Sequence, residues 1–269
     1  MKKMIIKIIL IIIGIYFLLL SLLFFFQEKI IFHPHKLSKD HKFNFNMDYE
    51  ELNIETKDGI LLNGLLFKSN IKKGVIFYLH GNAGSLESWG EVARLYTDLN
   101  YDVFILDYRG FGKSGGKIIN EEQLFSDNQL AYNEILKRYS EKNVIILGYS
   151  IGTGLSAKLA SENKPKLLIL QAPYYSLIDV MKHSFSFIPE FILKYKLETN
   201  KYLRNCKMPI IVFHGDKDKV IYYASSIKLK KDNKMIKLIT LKQQGHNGIT
   251  DNSEYIKEIK EILTSKTMK

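Results

Sequence analysis

The sequence predicts one large α/β domain, a mostly parallel sheet covered by helices on both faces, behind an apolar N-terminal helix. Three observations predict it. From residue 75 onward, short apolar runs of strand length alternate with stretches at helical spacing, the signature of parallel strands joined by crossover helices. The 269 residues, 46% of them hydrophobic, suffice for a substantial core. Residues 8–26 are apolar, interrupted only by Gly14 and Ser21.

Taken in order, the chain opens on a short basic head with Lys2, Lys3 and Lys7. As a helix, the 19 residues that follow would reach about 28 Å, close to the hydrocarbon thickness of a bilayer. A cleaved signal peptide would have a shorter apolar core closing on a small-x-small site. This run closes on Phe24-Phe25-Phe26-Gln27, so it reads as an uncleaved anchor. Lysines flank it on both sides, and their count does not fix the orientation. A very short basic head is more often left in the cytoplasm, which favours an extracytoplasmic domain. The expected organisation is an anchor over 1–27, a juxtamembrane connection over 28–48 and the α/β domain over 49–269. His33 and His35, two apart in the connection, would make a weak metal site; exposed linker histidines are the commoner case.

Next, Leu52 and Ile54, then Asp58-Gly59, then residues 60–67 read as a hairpin, the Asp-Gly pair supplying the turn. It adds an antiparallel edge. Beyond it, strands are expected at 75–79, 103–106, 144–147, 167–170, 210–213 and 235–241, and helices at 86–99, 121–139, 153–160, 224–231 and 249–263. Residues 173–208 break this rhythm. The segment is too long for an ordinary connection and carries Phe185, Phe187, Ile188, Phe191, Ile192, Leu193 and Tyr195. It reads as a lid or acyl-chain wall above the strand ends, or as plain helical packing, and the sequence does not choose between them.

Charge narrows the partners. The net charge of +11 comes from 39 basic against 28 acidic residues, and most of the basic ones are scattered lysines. Arginine occurs only at 94, 109, 138 and 204, too sparse for a patch that reads phosphates or base edges, so nucleic acid is not an expected partner. The single cysteine, Cys206, rules out an internal disulfide without fixing a compartment.

The chemistry is announced at Gly148-Tyr149-Ser150-Ile151-Gly152, where an apolar strand ends and a small-residue helix begins. A serine at such a turn takes a strained backbone conformation, with glycines two before and two after letting neighbouring backbone approach. A serine hydroxyl needs a base, and the base needs a carboxylate to hold its tautomer. His246 follows the last strand in Gly245-His246. Asp218 follows the preceding strand in His214-Gly215-Asp216-Lys217-Asp218, with Asp216 as the rival acid. Two amides should receive the developing oxyanion, that of Ile151 and one from His80-Gly81-Asn82-Ala83-Gly84, with Asn82 the expected donor.

A second pattern is a decoy. Gly110-Phe111-Gly112-Lys113-Ser114-Gly115 spells a dinucleotide fingerprint and ends like a phosphate loop. A phosphate loop needs glycine where Asp107 stands, and no helix follows directly, so nucleotide binding is not expected.

Together with Asp107-Tyr108-Arg109-Gly110-Phe111-Gly112-Lys113-Ser114, these motifs resemble the α/β-hydrolase superfamily, and most of all its small membrane-anchored serine hydrolases with one N-terminal span. The resemblance runs from about residue 27 to the C-terminus. It implies an eight-stranded sheet, a serine triad of Ser150, Asp218 and His246, oxyanion amides at Asn82 and Ile151, and no cofactor or metal. The expected activity is cleavage of carboxylic esters or thioesters, with a lipophilic acyl substrate suggested by the anchor and the aromatic insertion. A serine peptidase acting on short peptides is the alternative, and a catalytically silent membrane-tethered binding module the third reading.

Overall fold

A computed structural model describes residues 1–265; the expected C-terminal limit of the domain, residue 269, lies outside the described residues. The chain begins with helix α1, Lys2–Ile31, of 30 residues, long and apolar enough to cross a membrane. It continues five residues past the apolar run because the domain takes up its polar end. Gln27 donates from Nε2 to the Ile192 carbonyl at 3.0 Å and accepts at Oε1 from the Lys194 amide at 2.9 Å.

Eight strands form one sheet: β1 Tyr49–Glu55, β2 Leu61–Phe67, β3 Val75–Leu79, β4 Asp102–Leu106, β5 Val144–Tyr149, β6 Leu167–Gln171, β7 Ile210–Gly215 and β8 Ile236–Leu241. Their order is β8-β7-β6-β5-β3-β4-β2-β1. β2 runs antiparallel to both of its neighbours, and every other pairing is parallel. The hairpin β1-β2 turns at Gly59, whose φ of 76° is one that glycine adopts without strain.

Strand side chains alternate between the two faces, so each strand feeds two cores. Val75, Phe77 and Leu79 of β3 lie in one, with Leu124, Tyr132, Ile135, Leu155 and Leu159. Ile76 and Tyr78 lie in the other, with Ala93, Tyr96, Tyr255 and Ile259. The helices are α2 Leu86–Trp89, α3 Ala93–Thr97, α4 Glu121–Leu136, α5 Gly152–Glu162, α6 Leu177–Ser184, α7 Thr199–Tyr202, α8 Ala224–Asp232 and α9 Ser253–Thr264. Asn120 caps α4 by accepting from the Gln123 amide, and Asn252 caps α9 by accepting from Tyr255.

The single helix expected at 86–99 is instead two short ones around a 3₁₀ turn at Gly90–Val92. The ring of Phe45 sits where a Cβ on Gly90 would be, so the backbone closes on that ring at the break. In residues 173–208, α6, a 3₁₀ turn at Glu190–Ile192 and α7 occur, and the aromatic residues divide. Tyr195 and Leu197 are buried, whereas Phe185, Phe187 and Phe191 are exposed.

Parallel register brings the strand ends to one edge. Leu79 pairs with Gly148, Gly148 with Leu170, Leu170 with Val212 and Val212 with Leu238. The loops leaving β3, β5, β7 and β8 therefore emerge side by side, the rim where ligands bind in open α/β sheets.

Candidate active site

Ser150 follows the last residue of β5 with φ of 52°, a left-handed conformation that a non-glycine residue holds only when its surroundings fix it. Those surroundings are visible. The Ser150 amide donates to the Gln171 carbonyl at 2.9 Å, and the Thr153 amide and hydroxyl both return to the Ser150 carbonyl. The flanking glycines are sterically required: a Cβ on Gly148 would collide with Ser156 Oγ and the Gly152 carbonyl, and one on Gly152 with the Leu79 carbonyl.

His246 Nε2 lies 2.9 Å from Ser150 Oγ, and its Nδ1 lies 2.7 Å from Asp218 Oδ2. An ionised carboxylate only accepts, so Nδ1 carries the proton and the Nε2 lone pair faces the serine hydroxyl. Tyr149 fixes the histidine loop, its hydroxyl donating to the His246 carbonyl at 2.8 Å. Asp218 Oδ1 accepts from the amides of Val220 and Ile221, both at 2.8 Å. Burial alone would push the Asp218 carboxyl up, but hydrogen bonds from His214 and His246 outweigh it and hold its pKa well below the usual carboxylate range. Asp216 points elsewhere: its Oδ1 accepts from the Gln243 amide at 2.8 Å and ties the two loops together.

His214 is a partner the sequence gave no role. Its Nε2 lies 2.9 Å from the Ile221 carbonyl, an obligate acceptor, and 3.3 Å from Asp218 Oδ2, so Nε2 carries the proton toward both. Its Nδ1 then accepts from the Ser226 hydroxyl at 2.6 Å. The only signal in the sequence was its place at the end of β7.

Asn82 sits on the loop after β3, held on both sides. His80 Nδ1 donates to the Gly81 carbonyl at 2.7 Å. In a trans peptide the next N–H points the opposite way, so this bond sets the direction of the Asn82 amide. The His80 ring is in turn packed between Trp89, stacked at 5.6 Å between centroids, and Tyr108, tilted against it at 4.3 Å, with Asp107 Oδ1 3.4 Å from Nε2. Asp107 also accepts from the Leu86 amide at 3.1 Å, and burial, countered by His80, raises its pKa. On the other side Asn82 Nδ2 donates to the Ile31 carbonyl at 2.9 Å, and the His33 amide donates to the Asn82 carbonyl at 2.7 Å. A two-residue parallel pairing, His33 with Ala83 and Pro34 with Gly84, completes the link. The end of α1 is thus stitched into this loop, and His33 contributes its backbone there. Among the described residues no cluster of three or more His, Cys, Asp or Glu side chains could hold a metal, and neither the Asn82 nor the Ile151 amide is committed to another group.

The Gly110 to Gly115 turn has a structural use. The Asp107 carboxylate occupies the space a Cβ on Gly112 would need, and Gly112 bonds to both His35 and Leu37 of the connection. Arg109 pairs with Asp58 at 2.6 Å and Asp127 at 2.5 Å.

The eight-stranded sheet, with a serine on a left-handed strand-to-helix turn and an imidazole against its hydroxyl, defines the α/β-hydrolase class. The family described as "Serine aminopeptidase, S33" matches residues 70–204, and the chain belongs to it; the protein is a hydrolase enzyme. It is 30% identical over 189 residues to Protein bem46 of Schizosaccharomyces pombe, a match covering 66% of this chain and 63% of that protein. It is 27% identical over 199 residues to human alpha/beta hydrolase domain-containing protein 17B, covering 71% and 67% respectively. Among solved structures, the Pyrococcus furiosus esterase Pf2001 superposes with a TM-score of 0.70 at 20% identity, over 87% of this chain and 97% of that one, a likeness of fold.

Proposed function

We propose that the protein is a membrane-anchored serine hydrolase that cleaves carboxylic ester or thioester bonds of lipophilic acyl substrates by acyl transfer. The observation that carries this reading is the unbroken relay from Ser150 Oγ to His246 Nε2 at 2.9 Å and from Nδ1 to Asp218 Oδ2 at 2.7 Å. In this mechanism Ser150 Oγ attacks the acyl carbonyl while Nε2 takes the hydroxyl proton, and Asp218 stabilises the imidazolium that forms. The bond to the leaving oxygen or sulfur then breaks, and that atom takes the proton from Nε2. Water enters, gives a proton to Nε2 and attacks the acyl-serine; the bond to Oγ then breaks, Oγ takes the proton back from Nε2, and the acid is freed. The amides of Asn82 and Ile151 receive the oxyanion in both steps; loss of one such donor costs about 2.7 to 4 kcal/mol of barrier.

The lipophilic substrate is argued from α1 and from the exposed phenylalanines beside it. That α1 stays uncleaved is supported by Gln27 and Glu28, which bond to Ile192, Lys194 and Tyr195, so that the polar end of the helix is built into the domain and processing beyond residue 28 would remove those contacts. In this reading residues 1–27 anchor, 28–48 connect and 49–269 form the extracytoplasmic hydrolase domain, with 173–208 as its insertion. The family's description favours a second reading, a peptidase acting on short peptides. A panel separates them: a chain-length series of acyl esters and thioesters beside aminoacyl amides. The proposal expects turnover that rises with acyl length and little amide cleavage. Preferential release of N-terminal amino acids would overturn it.

A further inference from the structure

We infer that the aromatic segment 185–191 is a second membrane contact, inserted among the acyl chains of the leaflet that holds the C-terminal half of α1. The inference rests on the reading of α1 as a spanning anchor. Phe185, Phe187 and Phe191 are 52%, 67% and 77% exposed, and no other phenylalanine outside α1 is exposed among the described residues. Single apolar side chains on a surface are ordinary, but three within seven residues form a patch.

The patch is tied to α1 at two levels. Gln27 holds the Ile192 carbonyl and the Lys194 amide, and eleven residues earlier the Tyr16 hydroxyl donates to the Phe187 carbonyl at 2.8 Å. At 1.5 Å per residue those levels are about 16 Å apart along the helix, roughly half the hydrocarbon thickness of a bilayer. With Gln27, Glu28 and Lys29 at the interface, Phe187 therefore lies near the depth of Tyr16, inside the leaflet. Were the segment in water, the part of α1 from Tyr16 to Phe26 would be in water with it. The apolar residues before Tyr16 are too few to span.

Two polar side chains of α1 support the same placement. In hydrocarbon a backbone carbonyl needs a partner, and Tyr16 supplies one to Phe187, as Gln27 does to Ile192 at the interface. Glu190, the one carboxylate within the segment, is paired with Lys182, and Lys194 with Glu28 while lying over the Phe24 ring. Behind the patch Tyr195 and Leu197 are buried, and Leu197 packs against Gly154 of α5, the helix that starts just after Ser150. The contact thus joins the bilayer to the helix that follows the nucleophile.

The test places an environment-sensitive fluorophore on a cysteine introduced by Phe187→Cys, Phe191→Cys, Ile12→Cys or Lys142→Cys in the full chain. Native Cys206 is buried and its thiol is pushed up to about 12, so it does not compete for the label. Each labelled protein is reconstituted in phosphatidylcholine vesicles carrying doxyl groups on the acyl chains. The expected result is loss of emission at 187 and 191 as large as at 12, with all three shielded from aqueous iodide and position 142 showing the reverse. Iodide quenching at 187 and 191 with lipid quenching at 12 overturns the inference and leaves the anchor standing. Iodide quenching at 12 as well overturns the anchor reading and the inference together.

Discussion

Two carboxylates stand two residues apart on the loop after β7, and only their partners tell them apart. Asp218 meets His246, while Asp216 meets the Gln243 amide. Asp218→Asn is therefore expected to lower kcat by about 10⁴, as the imidazole loses the carboxylate that sets its tautomer, whereas Asp216→Asn leaves kcat within a few-fold. Steady-state hydrolysis of a soluble ester by both variants checks this. The same carboxylate has a stability signature. Its folded pKa lies below the unfolded value of about 3.9, so the ionised group adds stability above that pH, and the contribution is lost as pH falls below it. Thermal unfolding of Asp218→Asn across acid pH should show that limb flattened. At this scale much was legible in the sequence. Ser150, Asp218 and His246 each follow an apolar strand on a turn with glycine nearby, and local pattern suffices to mark such positions. His214 against Asp218, or His80 against the Gly81 carbonyl, depends on which way a ring turns after folding, and no spacing encodes that.

The elements that carry these residues are less evenly legible. Strand limits came close because burial on both faces makes continuous apolar runs, as in 75–79 and 144–147. The break at Gly90 escaped because it answers to Phe45, a residue 45 positions earlier in the chain. The end of α1 escaped for a related reason: hydropathy stops at Phe26, but Gln27 and Ile31 are held by Ile192, Lys194 and Asn82. That contact ties the end of α1 to the loop proposed to hold the oxyanion. Deleting residues 2–26 should leave kcat on a soluble ester within a few-fold, since Gln27 onward remains. Extending the deletion through residue 34 removes the Ile31, His33 and Pro34 contacts to 82–84 and should lower kcat by about tenfold or more, with KM less affected. Equal rates for the two truncations would contradict the link.

Across the whole molecule, a sheet buried on both faces gathers four loops at one edge; the α/β class followed from the alternation of strands and helices, and the eight-stranded sheet from the resemblance carried by the motifs. What the alternation leaves out is how the antiparallel edge is fastened to the rest. Arg109, 5% exposed, bonds to Asp58 in the β1-β2 turn and to Asp127 of α4. Arg109→Ala would leave the buried Asp127 carboxylate unpaired and is expected to cost about 3 to 5 kcal/mol in denaturant unfolding, while Arg138→Ala, an exposed pair with Glu50, costs under about 1 kcal/mol. The account as a whole turns on the serine at the sheet's edge being the group that takes the acyl chain. Intact-mass and peptide mapping after exposure to a fluorophosphonate test this most directly. One adduct per chain, on Ser150, absent in Ser150→Ala and strongly slowed in His246→Ala, is the predicted result; labelling that persists in Ser150→Ala, or none in the native protein, would contradict it.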